Sequence, residues 1–255
     1  MSKSLENILV SVVMPAYNAE KTIAKSIESV LRQTHQDFEL IIVDDASTDN
    51  TPEIACEYGK SDLRVRVLRH SENSGVAIAR NHGIEQAHGK YVALLDSDDL
   101  WEPDKLERQI ALAIRKNADI IYCSYDFIDK DGAPIKRPFI VPRRTSFKSM
   151  LINNVIGNST ALIDTQLLKK NPFDPALYHE DYALWMKLLS TPVTAIGDPK
   201  VLMHYRQVRG SRNEKKLRAA KERWRIYRDY LHLKPLKCSV VFTAYAVNGV
   251  KKYFF

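Results

Sequence analysis

The chain is poor in the residues that build covalent or metal-held scaffolds. Its three cysteines, Cys56, Cys123 and Cys238, are odd in number and far apart, with no Cys-x-x-Cys pair. That excludes a disulfide framework and a structural zinc site, and it points to a reducing compartment. Long apolar runs are missing too. Ile8 to Met14 is too short for a signal-peptide core or a membrane span, and Leu236 to Val250 falls below the roughly 20 apolar residues a spanning helix needs. No Gly-x-Gly-x-x-Gly follows the first expected strand, where the turn reads Pro15-Ala-Tyr17-Asn18. A dinucleotide-binding dehydrogenase is thereby excluded. The Gly-rich, Arg- and Lys-bearing loop of a sugar nucleotidyltransferase is also absent there, and the chain shows no internal repeat or low-complexity linker.

What remains is ordinary globular composition, 45% hydrophobic and 27% charged, over 255 residues. That suffices for one domain with a real core plus an appendage. The formal net charge of +7 is unevenly spread. Between Arg212 and Lys237 ten Lys or Arg face three acids, so this block accounts for the whole excess. A localised basic block implies an anionic partner, lipid headgroups or nucleic acid.

The periodicity predicts alternating strands and helices. Strands are expected at Ile8 to Met14, Phe38 to Val43, Arg64 to Leu68 and Tyr91 to Leu95. Between them run helices carrying Ile23, Ile27, Val30 and Leu31, then Ile54 to Tyr58, then a helix opened by Ser74-Gly75. This βαβαβαβ order predicts an α/β fold with a mostly parallel central sheet flanked by helices. Beyond it come a helix over Pro103 to Lys116, a strand over Ala118 to Ser124, and a hairpin turning at Asp131-Gly132. A short helix is expected over Thr145 to Ile152 and a strand over Ile156 to Ile163, bent at Gly157-Asn158-Ser159. His179-Glu180-Asp181 opens another helix, and short strands follow at Val193 to Ile196 and Val201 to Tyr205. Glu214 to Leu233 reads as a basic helix.

Two strands end in carboxylates, Asp44-Asp45 and Asp96-Ser-Asp98-Asp99. Like charges this close repel unless a cation lies between them, and Asp96 and Asp98 are spaced to share one. Oxygen-only ligation suits Mg²⁺ or Mn²⁺ with positions left for phosphates. The strand ends are also where open α/β sheets bind ligands. The plainer alternative is a solvated acidic turn ahead of the next helix.

Five segments then carry a resemblance: Val10-Ser-Val-Val-Met-Pro-Ala-Tyr-Asn18, Glu39 to Asp49, Asn73 to Asn81, Leu95 to Asp99, and His179-Glu-Asp181 with Trp185. In this order and spacing, over about the first 205 residues, the chain resembles family 2 glycosyltransferases of the GT-A fold, of the bacterial teichuronic-acid or O-antigen polysaccharide type. The resemblance implies that Pro15, Tyr17 and Asp44 line the nucleoside pocket, with Tyr17 packing on the base, Asp44 accepting from it and Asp45 assisting. It implies Arg80 near the donor phosphates or the aspartates, Asp96 on ribose or donor sugar and as a second metal ligand, and Asp98 as the principal ligand of Mn²⁺ or Mg²⁺. Asp181 would be the catalytic base, with Glu180 its rival. Arg206 would pair with a donor phosphate, in a segment with His204 and Ser211 that closes over the diphosphate. Inversion at the anomeric carbon follows from the same resemblance. In place of the Gln-x-x-Arg-Trp signature of processive members this chain has Gln207-Val-Arg-Gly-Ser, which favours transfer of a single sugar.

The expected activity is transfer from a nucleotide-sugar, by default a UDP-sugar, to a glycan acceptor linked to polyprenyl diphosphate. The expected layout is a catalytic domain over 1–213, with donor half 1–100 and acceptor half 101–213, and a basic amphipathic tail over 214–255. The tail would hold the protein peripherally on the cytoplasmic face of the plasma membrane, and its aromatic, apolar end suits lipid better than nucleic acid. Two alternatives stand beside these: a tail that docks on the core, and a non-catalytic nucleotide-sugar-binding or membrane-associated scaffold.

Overall fold

The computed structural model describes residues 8–207 and 216–254. Its first half follows the predicted order: β1 (Val10–Ala16), α1 (Ile23–Leu31), β2 (Phe38–Asp44), α2 (Thr51–Ser61), β3 (Val65–Arg69), α3 (Val76–Glu85) and β4 (Tyr91–Leu94). β1 is buried along its whole length, as expected for a strand covered on both faces. The strand order is β3-β2-β1-β4, all parallel. Order therefore reverses at β1, and the register brings Ala16 beside Asp44 while Val13 pairs with Leu94. The carboxyl ends of β1, β2 and β4 thus open on one edge, at the switch point where such sheets bind ligands. α3 lies close over this layer. A Cβ on its Gly83 would come within 2.5 Å of Val13 and 3.2 Å of Val43.

The second half is mixed rather than parallel. It comprises β5 (Leu100–Trp101), α4 (Lys105–Lys116), β6 (Ile120–Ile128), β7 (Pro134–Phe139), α5 (Phe147–Ile152), β8 (Leu162–Asp164), α6 (Thr165–Lys170), α7 (Glu180–Leu189) and β9 (Ala195–Arg206). The sheet continues β4-β8-β6-β9-β5, with β7 paired to β6. β8 is antiparallel to both of its neighbours, whereas β6 and β9 are parallel. The β6–β7 hairpin turns at Asp131-Gly132 as read from sequence, with Gly132 at φ +96°. Two expectations change. The strand expected over Ile156 to Ile163 is mostly a 3-10 turn, Asn158–Thr160, leading into the short β8. The two strands expected near the end are one, β9, interrupted by a register shift between the pairs Cys123–Asp198 and Ser124–Val201. Pro199 lacks the N–H a ladder needs, so the chain bulges there and resumes.

The C-terminal segment packs on the core. α8 (Lys216–Arg225) runs through a π-helical turn, Ile226–Tyr230, and α9 (Pro235–Phe254) follows. Ile226, Tyr227, Cys238 and Val241 are buried in the same cluster as Trp185 and Met150. The Tyr182 hydroxyl donates to the Met150 carbonyl at 3.0 Å, and the Tyr227 hydroxyl donates to that of Leu151. The Arg223 guanidinium stacks 3.4 Å from the centre of the Tyr182 ring. The core-docking alternative thus describes Ile226, Tyr227, Cys238 and Val241, and a chain cut at 213 would lose these contacts to α5 and α7. Glu214, the expected start of the basic helix, and Ser211 lie outside the described residues. Among the described residues no helix is long and apolar enough to cross a membrane.

Candidate active site

The cleft at the switch point has a volume of about 720 Å³. Pro15 and Tyr17 from the end of β1, Asp45 after β2, Gly75 just before α3, Arg80 on α3, and Asp96 and Asp98 after β4 all line it. Its β1 rim is tied to its β2 rim. Asn18 N donates to Ser47 Oγ at 3.0 Å, Thr48 N to Asn18 Oδ1 at 2.9 Å, and Ala19 N to Thr51 Oγ1 at 2.7 Å. Tyr17 rides on this rim with 49% of its surface exposed. An aromatic face held open to solvent is suited to stack on a planar ligand.

The two aspartates after β2 part ways. Asp44 is fully buried, receives Ser47 N at 3.4 Å and pairs with Arg69 at 3.3 Å. It is not among the residues lining the cleft, where the resemblance had put it; Asp45 is. The reason is strand geometry: successive side chains point to opposite faces, and only one of two adjacent carboxylates turns toward the cleft. Asp45 Oδ1 accepts from Ser74 N at 3.0 Å and Oδ2 from Gly75 N at 2.8 Å. Gly75 takes φ +92°, a conformation that favours glycine and that brings its N–H to the carboxylate.

Arg80 joins the two sides of the site. Its guanidinium is buried and forked, with Nη2 donating to Asp96 Oδ1 at 2.7 Å and Nη1 to Glu180 Oε1 at 2.8 Å. Burial works against its charge, and Asp96 and Glu180 more than offset it, holding the guanidinium well above its ordinary range. Asp96 is further fixed by Asn158 Nδ2 at 3.2 Å, while its backbone N donates to Ser159 Oγ at 3.0 Å. Trp101 Nε1 in turn holds the Ser159 carbonyl at 2.8 Å. Asn158 and Ser159 were legible in sequence only as a bend; the 3-10 turn is what delivers them to the acid loop.

The remaining acids divide by environment. Asp98 presents surface to the cleft, yet crowding by the protein around its carboxyl, reinforced by the Asp96 charge, pushes it up to about 6. Asp99 is buried, is raised further by burial and by Asp98 and Asp96, and accepts from Arg206 N at 3.0 Å. Arg206 differs from its expected place. Its Nε donates to the Asp98 carbonyl at 2.8 Å, and Nη1 donates to the carbonyls of Asp129 and Lys130 at 2.9 Å each. It clamps the acid turn against the β6–β7 turn rather than lining the cleft. His204 sits between Asp126 (2.6 Å) and Glu102 (2.9 Å). Asp181 occupies the first turn of α7, half-buried, and its Oδ1 receives Tyr182 N at 2.7 Å. Its charge is felt at Arg80.

A divalent cation fits this loop by charge. The Asp96 charge that crowds the Asp98 carboxyl would be relieved by it. Among the described residues no group of three or more His, Cys, Asp or Glu stands ready to enclose a metal. Asp96 and Asp98 would therefore hold it from one side, leaving positions for phosphate oxygens and water, as Mg²⁺ prefers.

The sign of the Asp98 shift gives a testable consequence. A carboxyl raised from 3.8 to about 6 binds its proton more tightly in the folded state, so without metal it lowers stability as pH rises through that interval. Asp98→Asn is expected to melt at a higher temperature than the parent chain at pH 8 and at nearly the same temperature at pH 4.5. Thermal unfolding in chelator at the two pH values checks this.

Comparison with known proteins bears on the family and the fold. The Glycosyl transferase family 2 model matches residues 11–170. TuaG of Bacillus subtilis (strain 168), named for teichuronic acid biosynthesis, is 39% identical over 244 residues, covering 96% of this chain and 97% of its own. WfgD of Escherichia coli, named as a UDP-Glc:alpha-D-GlcNAc-diphosphoundecaprenol beta-1,3-glucosyltransferase, is 36% identical over 253 residues, 98% of this chain and 97% of its own. In fold, S. aureus TarS 1-349 in complex with UDP-GlcNAc superposes with a TM-score of 0.73 at 21% identity, covering 93% of this chain and 71% of that one. The mannosyltransferase PcManGT from Pyrobaculum calidifontis, in complex with GDP-Man and Mn²⁺, gives 0.71 at 20% identity, covering 92% and 68%.

Proposed function

The chain belongs to glycosyl transferase family 2 and is a glycosyltransferase, and from that premise we propose that it moves a single sugar, with inversion and with a divalent metal, from a UDP-sugar to a hydroxyl of a lipid-diphosphate-linked glycan in bacterial cell-surface polysaccharide synthesis. The observation that carries the reading is the cleft joining an open aromatic face at Tyr17 to the Asp96–Asp98 pair, with the start of α7 tied in through the Arg80–Glu180 ion pair. WfgD supplies the acceptor class by its name, and the TarS complexes supply UDP as the nucleotide.

In this reading the nucleobase stacks on Tyr17 and gives a hydrogen bond to Asp45. Asp96 meets the ribose or donor sugar, and Asp98 faces the diphosphate. A metal bound there supplies charge stabilisation for the departing nucleoside diphosphate. Asp181 takes the proton of the acceptor hydroxyl as its oxygen attacks the anomeric carbon. The new carbon–oxygen bond forms on the face opposite the breaking carbon–phosphate-oxygen bond, which inverts the centre. The ion pair of Glu180 with Arg80 supports Asp181 as the base, because a carboxylate clamped at 2.8 Å by a buried guanidinium is a poor proton acceptor. Glu180 then serves to hold the start of α7.

Peripheral attachment to the cytoplasmic face of the plasma membrane completes the proposal. Leu236 (80% exposed) and Val240 (62% exposed) lie one turn apart on α9, beside exposed Lys234 and Lys237. An apolar pair flanked by lysines suits an anionic headgroup surface.

Two measurements test these readings. Release of nucleoside diphosphate from UDP-, dTDP- and GDP-sugars, with Mn²⁺ and a polyprenyl-diphosphate-linked acceptor, is expected with one donor. Asp181→Asn should lower kcat by about 10²–10⁴ with KM little changed, and an active Asp181→Asn would refute the base assignment. In flotation with anionic vesicles, the intact chain should rise and the Leu236→Glu/Val240→Glu double variant should rise less; equal flotation of the two would refute the α9 face.

A further inference from the structure

Behind the cleft, Asp45 has a second layer of support that the reaction outlined above does not use. His70, just past the end of β3, sets its Nδ1 2.8 Å from Asp45 Oδ1. Its Nε2 lies 3.0 Å from Nδ1 of His82 on α3. The two rings are stacked, with centroids 5.2 Å apart and planes 12° apart. Asp45 itself is nearly enclosed, with 4% of its side chain exposed.

The hydrogen positions follow from the partners. Two of the groups on Asp45 are backbone N–H groups that only donate, so the carboxylate faces His70 as an acceptor and His70 presents Nδ1–H. The contact between the two imidazoles then holds one hydrogen, on either ring, and in both cases His82 fixes the plane of His70. Oδ1 of Asp45 thus has two donors, His70 and Ser74 N, while Oδ2 has one, Gly75 N. A carboxylate oxygen accepts about two hydrogen bonds, which leaves one acceptor position, on Oδ2.

We propose that His70, backed by His82, is a positioning residue for donor recognition. It saturates Oδ1 and holds the last acceptor position of Asp45 toward the cleft. That position selects a base carrying a ring N–H beside a carbonyl, as uracil, thymine and guanine do and cytosine does not. The inference rests on the reading of Asp45 as the nucleobase acceptor. The competing role for the pair is a mere fastener between the β3 end and α3, which would affect every nucleotide alike.

Calorimetric titration with UDP, dTDP, GDP and CDP separates the two. The intact chain should prefer the best of the first three over CDP. His70→Ala should lower that preference by about tenfold, the scale of a hydrogen bond to a charged group. His70→Asn, whose amide N–H reaches toward the same oxygen, should restore most of it. His82→Phe keeps a stacked ring without its hydrogen and should lower the preference by a smaller factor; it also keeps the test independent of any folding defect in His70→Ala. Equal weakening of all four nucleotides in the variants, with the preference intact, would overturn the proposal. An intact chain that binds CDP as well as the others would instead overturn the reading of Asp45, and the inference with it.

Discussion

The site depends on one buried cation. Arg80 reaches Asp96 from the donor side and Glu180 from the start of α7, and those residues are 16 and 100 positions away along the chain. Without it, two carboxylates would face each other in a poorly solvated space, at a cost that ion pairing relieves only when each hydrogen bond is made. Each is made here. A buried pair of this kind is weak evidence for stability, but it fixes geometry: a forked guanidinium accepts only one arrangement of its two partners. The cleft and the helix that carries Asp181 are thereby set at a defined separation, as the proposed displacement needs.

Around that cation the supporting contacts form shells. Asn158 and Ser159 hold Asp96, Trp101 holds Ser159, and Arg206 closes the acid turn from the far side. On the other flank, α7 is held from behind by the C-terminal segment, through Arg223 on Tyr182 and the paired tyrosine hydroxyls on α5. The C-terminal segment is therefore partly a brace for α7. Its exposed Leu236 and Val240 face the other way, so one element can both brace the site and meet a surface.

Much of this was legible in the sequence. The four parallel strands, two of them ending in acids, follow from β-branched runs bounded by polar turns, and the GT-A fold from the five ordered segments. What was hidden has physical causes. Adjacent Asp44 and Asp45 point to opposite faces, and no pattern along one strand says which face bears the cleft. Asn158 and Ser159 are polar residues in a turn until tertiary structure brings them to Asp96. Arg206 looked like a phosphate ligand because a charge does not disclose whether carbonyls or solvent surround it. After α8 the high density of Lys and Arg masked the burial of Ile226 and Tyr227, and the π-helical turn at Ile226–Tyr230 breaks the helical period that would have revealed it.

The central claim is that Asp96 and Glu180 act through a shared partner. A double-mutant cycle on kcat/KM with Asp96→Asn, Glu180→Gln and the two combined measures it directly. Coupling through Arg80 predicts that the double variant loses much less than the product of the two single losses, because either change alone already frees the guanidinium from its fixed place. Losses that simply multiply would contradict it, and would mean that the two sides of the site are positioned independently.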